Sequence, residues 1–488
     1  MMSNSRRFSS RFGFIVSMMG IAIGAGNIWR FPRVVAQNHG GAFLIAWIIF
    51  LFVWSIPLII TELSLGKLVR SSPFRAFPIL LGKRFVWTGA FITVVTTCIA
   101  AYYSVVVGWG FSYFVYSIFG CLHKGADFSI LWESYQDSYW PLLAHLFAIG
   151  MAFHIVKKGI VNGIERCNKV LIPVFFVCLL FFLIQVLFLP KAVIGIKELF
   201  FTDFRQLFHY KVWVEALSQN AWDTGAGWGL LFVYAGFAKQ KEAVVSNGVT
   251  TAVLNNVVSL LMAIIIFSAA SSLSNQGLSE LVTGKGSSSL GLTFICLPFL
   301  FTCLPGPIWL STIFSAIFFL AFSIAALSSM ISMLFLLSNS FEDLGVSKKK
   351  SVTIASFVIF ILGVPSAIST SFFLNQDYVW GVALIINGLF IVAAAYKYGF
   401  RRLIETSINS APKDIRVGRK FTCLVKYVSP LLGASLLFWY LGESLFIKES
   451  WWNPFCLGSF SNILFQWSVP LVIFLFLTLT FLRKFNKN

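Results

Sequence analysis

The sequence predicts an all-α polytopic membrane protein of twelve spans, on three observations. Of its 488 residues 58% are hydrophobic and only 11% charged, with mean hydropathy +0.84. No soluble domain needs that much apolar surface. Apolar stretches long enough to cross a bilayer as helices recur along the whole chain. Two of them carry Gly-Ala-Gly in mid-segment, at 24–26 and 225–227.

In order, the spans lie near 12–36, 41–69, 86–120, 140–156, 168–189, 213–236, 243–272, 307–338, 351–373, 377–399, 425–447 and 462–482. No small-residue cleavage site follows the first, which therefore reads as a retained span and not a signal peptide. The chain reads as one transmembrane domain, 1–488, without a soluble module. Its repeats cover about 12–189 and 213–399, with additional helices at 425–447 and 462–482.

The formal charge of +19 does not point to nucleic acid, because the basic residues cluster on one side. They include Arg6, Arg7 and Arg11, Lys83 and Arg84, Lys157 and Lys158, Lys348 to Lys350, and Arg401 to Lys420. That asymmetry places both termini in the cytoplasm. The eight Cys show no CxxC pair or metal spacing, and the five His are isolated, so neither a disulfide framework nor a metal cluster of that kind is expected. Long loops are often lids, and Ser271 to Pro307 reads as one. Tyr398 to Lys426 reads as a solvated connector.

The first interruption runs Gly20-Ile21-Ala22-Ile23-Gly24-Ala25-Gly26-Asn27-Ile28-Trp29-Arg30-Phe31-Pro32. Unwound backbone is tolerated at membrane depth only where it lines a cavity or holds a ligand. The second runs Ser218-Gln219-Asn220-Ala221-Trp222-Asp223-Thr224-Gly225-Ala226-Gly227-Trp228-Gly229. One such element alone suits helix packing by small residues. Two, in spans one and six, lie five spans apart and so face opposite ways. That is the pattern of a 5+5 inverted-repeat transporter with its site at the midplane. Helix amides at such a break favour an anionic group and freed carbonyls favour a cation.

These residues carry a resemblance. Gly24 to Pro32, then Asn38-His39-Gly40-Gly41-Ala42-Phe43, resembles the signature opening of the neurotransmitter:sodium symporter family. The similarity is to bacterial amino-acid transporters related to the leucine transporter. It continues through Pro57 to Glu62, Tyr102-Tyr103, Gly163 to Arg166, Gln219 to Gly229, Asn255, Ala325 to Ser329 and Asp377-Tyr378, and covers nearly the whole chain.

The resemblance implies the leucine-transporter fold and sodium-coupled import of an amino acid with two Na+. The first sodium would meet the Ala22 carbonyl, Asn27, Asp223 and Asn255. The second would meet the carbonyls of Gly20, Ile23 and Ala325 and the hydroxyls of Ser328 and Ser329. The substrate carboxylate would meet the amides of Ala25 and Gly26 and the Tyr103 hydroxyl. Its amine would meet carbonyls at Ala22 and around Trp222 to Gly225. Ile99, Trp222, Gly225, Trp228, Ser329 and Met333 would surround its side chain. Arg30 with Asp377 matches the outer gate, and Asp343 with Arg6 or Arg7 the inner one.

The departures are informative. Asp223 stands where the leucine transporter has Thr and chloride-dependent animal members have Ser. Chloride-independent relatives carry a Glu at the position of Ser259. An intramembrane carboxylate needs a cationic partner, so Asp223 reads as the compensating negative charge, and no chloride is expected. Proton coupling through Asp223 stays open beside it. Animal amine transporters place Asp at the position of Gly24; Gly24 leaves that space empty for a substrate bringing its own carboxylate. An apolar pocket rejects charged side chains, so a neutral amino acid is expected. Trp222 and Trp228 replace smaller aromatics, Phe237 a Tyr and Phe8 a Trp.

Other classes remain: a sodium/proton-coupled carrier of amines or other small solutes, a channel of this fold, and a sensor that binds without cycling. No Ser/His/Asp grouping, HExxH or DDxxD-type cluster supports an intramembrane enzyme. Expected partners are the amino acid and membrane lipid, with no nucleic acid. The chain is a monomer or homodimer on this reading.

Overall fold

The computed structural model describes residues 7–273, 289–304, 306–446 and 450–485, and every regular element among them is helical. A bent pair opens the chain: α1 (Arg11–Ala22) and α2 (Ala25–Gln37), inclined by 53° at their break. Then follow α3 (Gly41–Val69), α4 (Lys83–Ile118), α5 (Trp140–Lys157) and α6 (Ile160–Leu187). The second interruption separates α7 (Tyr210–Asp223) from α8 (Leu230–Gly236). The remaining long helices are α9 (Val245–Leu273), α10 (Ile308–Asp343), α11 (Lys348–Ile368), α12 (Thr370–Tyr398), α13 (Arg419–Phe446) and α14 (Phe460–Leu477), with shorter helices in the connections.

Ten of these helices are long and apolar enough to span a bilayer, and the bent pair makes eleven. The count by length stops short of the expected twelve because the segment 213–236 is two shorter helices.

Local chemistry sets the ends. The Ser10 hydroxyl accepts from Gly13 N at 3.0 Å and starts α1, the usual role of serine at a helix N-cap. α1 stops at Ala22 because Ile23 (ψ 103°) and Gly24 (φ −131°, ψ −171°) are extended. The second break holds Gly225, Gly227 and Gly229 at φ +71°, +86° and +79°, a region where a Cβ is disfavoured. One close approach binds the scaffold to the broken helix: a Cβ at Gly66 of α3 would collide with the Phe232 backbone of α8.

Large apolar side chains such as Phe147, Val177, Leu180, Phe357, Ile361 and Phe476 stay exposed, as a surface facing lipid tails requires. Polar residues collect inside instead, where Asn27, Glu62, Asn255, Ser259 and Ser328 are all buried.

Three expectations about connections change. Tyr398 to Lys426 is docked and not merely solvated. Leu403 and Ile408 are buried there, and Ser407 Oγ donates to the Ser64 carbonyl at 2.9 Å. Of the expected lid 271–307, residues 274–288 and 305 lie outside the described residues. Its far side folds as an apolar helix, Leu292–Thr302, with Phe294 stacked on Trp132 at 4.8 Å. The fifth span begins at Ile160, eight residues before the expected 168, through a π-helical turn, Ile160–Glu165.

Candidate functional site

The two breaks meet at one small central cavity of about 50 Å³. Of the expected residues, Ala22, Gly24, Gly26, Asn27, Tyr103, Trp222, Asp223, Gly225, Trp228, Ser329 and Met333 line it, and so do Arg30 and Asp377, the two expected at the outer gate. Ile99 is buried but does not reach the cavity. Ala25 contributes through its backbone: its N–H donates to Tyr103 Oη at 2.9 Å.

Ser329 Oγ on α10 faces three carbonyls of the first break, Gly20 at 3.1 Å, Ile21 at 3.2 Å and Ile23 at 3.4 Å. A hydroxyl has one proton, so it satisfies one of the three at a time. Ser328 Oγ meanwhile donates to the Ala325 carbonyl at 2.8 Å. The cluster is oxygen-rich and proton-poor, the donor set a hard cation prefers.

A second cluster surrounds Asn255 of α9. Its Oδ1 accepts from Asn27 Nδ2 at 2.9 Å, and the same atom stands 2.9 Å from the Ala22 carbonyl and 3.3 Å from that of Asp223. Oxygen facing oxygen repels. Turning the Asn255 amide round lets its nitrogen donate to the Ala22 carbonyl at 2.9 Å and the Asp223 carbonyl at 3.3 Å. As placed, the cluster presents side-chain and backbone oxygens, the donor type a hard cation prefers. Asn27 differs from expectation in one respect. Its own oxygen accepts from Gly24 N at 2.8 Å, and its NH2 faces Asn255 and Ser259. A half-turn of the Asn27 amide would bring its oxygen into the cluster at the cost of the bond to Gly24.

Asp223 ends α7 with Oδ2 accepting from Ser259 Oγ at 2.7 Å, and its Oδ1 lies near Gly26. The carboxylate thus points at the α9 position where the resemblance places a Glu in other members. The space at Gly24 is not empty as expected: a Cβ there would stand 2.8 Å from Tyr103 Oη and 3.0 Å from Ser329 Oγ. Two hydroxyls of α4 and α10 fill it.

Above the cavity, Trp222 and Trp228 pack edge to face at 5.6 Å. The Arg30 guanidinium lies 5.3 Å over the Trp222 ring and donates to Ser218 Oγ at 3.3 Å. Ser218 also accepts from Tyr440 of α13 at 2.6 Å. Arg30 and Asp377 face one another across the cavity without a direct ion pair among the described residues. Below it, Asp343 Oδ2 accepts from Ser72 N at 2.7 Å. No bond joins Asp343 to Arg7 among the described residues, and Arg6 lies outside them.

The sequence reading passed over two residues at the site. Glu62 of α3, fully buried, accepts from Gly227 N at 2.7 Å and Phe232 N at 3.2 Å and so fixes the second break. Its signal was a lone carboxylate in an apolar span. Gln219 lines the cavity with both amide atoms unpaired among the described residues.

Comparison with known proteins agrees with this architecture. The sequence profile of the sodium:neurotransmitter symporter family matches residues 5–127 and 132–487. An uncharacterised sodium-dependent transporter of Methanocaldococcus jannaschii is 31% identical over 450 residues, covering 88% of this chain and 89% of its own. A sodium-dependent neutral amino acid transporter, B(0)AT2 of Bos taurus, is 27% identical over 53% of this chain and 40% of its own. The crystal structure of MhsT in complex with L-phenylalanine superposes with a TM-score of 0.78 at 26% identity, covering 89% of this chain and 99% of that one. The chain belongs to the sodium:neurotransmitter symporter family and is a sodium-dependent integral membrane transporter with broken first and sixth spans.

Proposed function

We propose that this symporter imports a small neutral amino acid with two Na+, independently of chloride, with Asp223 as the fixed intramembrane negative charge. The observation that carries the reading is the 2.7 Å bond between Ser259 Oγ and Asp223 Oδ2. It sets a carboxylate against α9, beside the Asn255 oxygen cluster, without needing a Glu at 259. Two sodium ions and a zwitterion in one dry cavity require such a charge.

The substrate class is supported by the bare amide of Gly26 and the Tyr103 hydroxyl beside the cavity, which suit a carboxylate. It is supported too by L-phenylalanine in MhsT and by the neutral amino acids of B(0)AT2. The small cavity of about 50 Å³ beside Trp222 and Trp228 favours short side chains.

Transport proceeds by alternating access. Sodium and substrate enter from outside and join at the breaks, and the outer side closes as Arg30 settles over Trp222 with Asp377 opposite. The inner side then opens, and sodium leaves first from the Ser328–Ser329 cluster. The clustering of Lys and Arg supports both termini lying in the cytoplasm, and sodium-dependent relatives in Bacillus subtilis and Haemophilus influenzae support a bacterial cytoplasmic membrane.

The test is uptake into proteoliposomes at fixed sodium, with chloride fully replaced by gluconate. Uptake should persist at an unchanged rate. Its abolition in gluconate would remove the role given to Asp223.

A further inference from the structure

We propose that Asn168 of α6 is a sodium-positioning residue, whose amide supports the bound ion through water from the cytoplasmic side of the Ser329 cluster. The inference rests on the sodium reading of that cluster given above.

Asn168 is 0% exposed, and neither its amide oxygen nor its amide nitrogen has a hydrogen-bond partner among the described residues. Buried amides left unmet are rare in folded proteins and point to a water or an ion. The amide faces Gly20: a Cβ built there would stand 3.0 Å from Oδ1 and 3.1 Å from Nδ2. The Gly20 carbonyl in turn lies 3.1 Å from Ser329 Oγ. Gly20 therefore has the oxygen cluster on one side and an unpaired amide on the other.

The seam between α1 and α6 repeats the arrangement nearer the cytoplasm. Glu165 lies three residues before Asn168 and so on the same helix face, about 4.5 Å along the axis. It faces Gly13 as Asn168 faces Gly20. Glu165 is already committed, accepting from Ser9 N and Ser9 Oγ and pairing with Lys169 at 2.7 Å. On the α10 side, Ser332 and Tyr234 hydroxyls satisfy each other at 2.7 Å. Asn168 is thus the group beside the cluster with oxygen to spare. A leucine would fill its volume without leaving two polar atoms unmet, so packing alone does not account for an asparagine.

The experiment titrates purified protein with sodium chloride at constant ionic strength, using choline to balance, and follows thermal stabilisation. Asn168→Leu should raise the sodium concentration for half-maximal effect about tenfold, the usual lower bound for losing a group that supports a metal site. The substrate concentration for half-maximal effect at saturating sodium should stay unchanged. Asn168→Asp, which keeps the oxygen, should return sodium sensitivity to within about twofold of the parent. Asn168→Ala serves if the leucine variant does not fold. If both the leucine and alanine variants titrate like the parent, whatever their melting temperatures, Asn168 is structural and the proposal falls. Ser329→Ala separates the two readings: should it also titrate like the parent, or the parent not respond to sodium, the cluster itself is misread.

Discussion

Asp414 accepts from the N–H of Val244, 170 residues before it, at 2.6 Å, and from those of Val245 and Ser246 at 2.8 Å. A carboxylate from the connector between α12 and α13 thereby caps the start of α9, the helix that carries Asn255 and Ser259. Burial raises the Asp414 carboxyl, but these N–H groups outweigh it and hold it below the usual carboxylate value. A depressed folded value means that the stabilisation is present above the ordinary value of about 3.9 and is lost as pH falls through the folded one.

Asp414→Asn should therefore lower stability by about 1 kcal/mol at pH 7, as loss of a charged N-cap does. The gap from the parent should close below about pH 4, in the range where an ordinary carboxylate protonates. Detergent-solubilised protein followed by tryptophan fluorescence during heating reads both. A gap that is flat with pH would assign the effect to something other than the carboxylate.

Glu62 holds the unwound segment at Gly227 and Phe232. Glu62→Gln puts an NH2 where one of two acceptors stood, leaving a buried N–H unmet at about 1–3 kcal/mol. Binding of sodium and substrate should weaken together, because one segment serves both. A radioligand assay in sodium and in choline checks this, and selective loss of one would contradict it.

Asp223→Ser leaves Ser259 without its carboxylate. Uptake in gluconate should drop at least tenfold and recover in part when chloride is supplied, since a mobile anion then takes the vacated charge position. Equal loss in both media would place Asp223 in proton transfer or substrate binding instead.

Gly24→Ala should abolish transport while leaving the protein folded. The new methyl would meet Tyr103 Oη at 2.8 Å and Ser329 Oγ at 3.0 Å, closer than carbon and oxygen pack, and would push apart groups at both clusters. Trp228→Phe, by contrast, should widen the cavity and shift preference toward bulkier neutral amino acids in competition uptake.

The breaks were legible because their cause is local: glycine clusters with polar neighbours inside apolar runs. The structure brings Asn27, Trp222, Asp223 and Gly225 of those breaks to one cavity, together with Tyr103, Ser329 and Met333, which only the family resemblance implied. Groups defined by a distant partner were not legible. Asp414 reads as an ordinary loop acid until α9 is placed beside it, and Asn168 as a helix residue until Gly20 faces it. Gly24 shows the same limit, since the absence of a side chain says nothing about who occupies the space. The connector 398–426 looked solvated because its composition is basic, while Leu403 and Ile408 decide its packing.

Gly66 leaves no gap between α3 and the Phe232 backbone of α8, and Glu62, one helical turn away, bonds the same residue. Two contacts on one face oppose sliding, so α3 and α8 are expected to move together. A spin label at the Val69 end of α3 would then report the swing of α8 during turnover, without any label being placed in α8 itself.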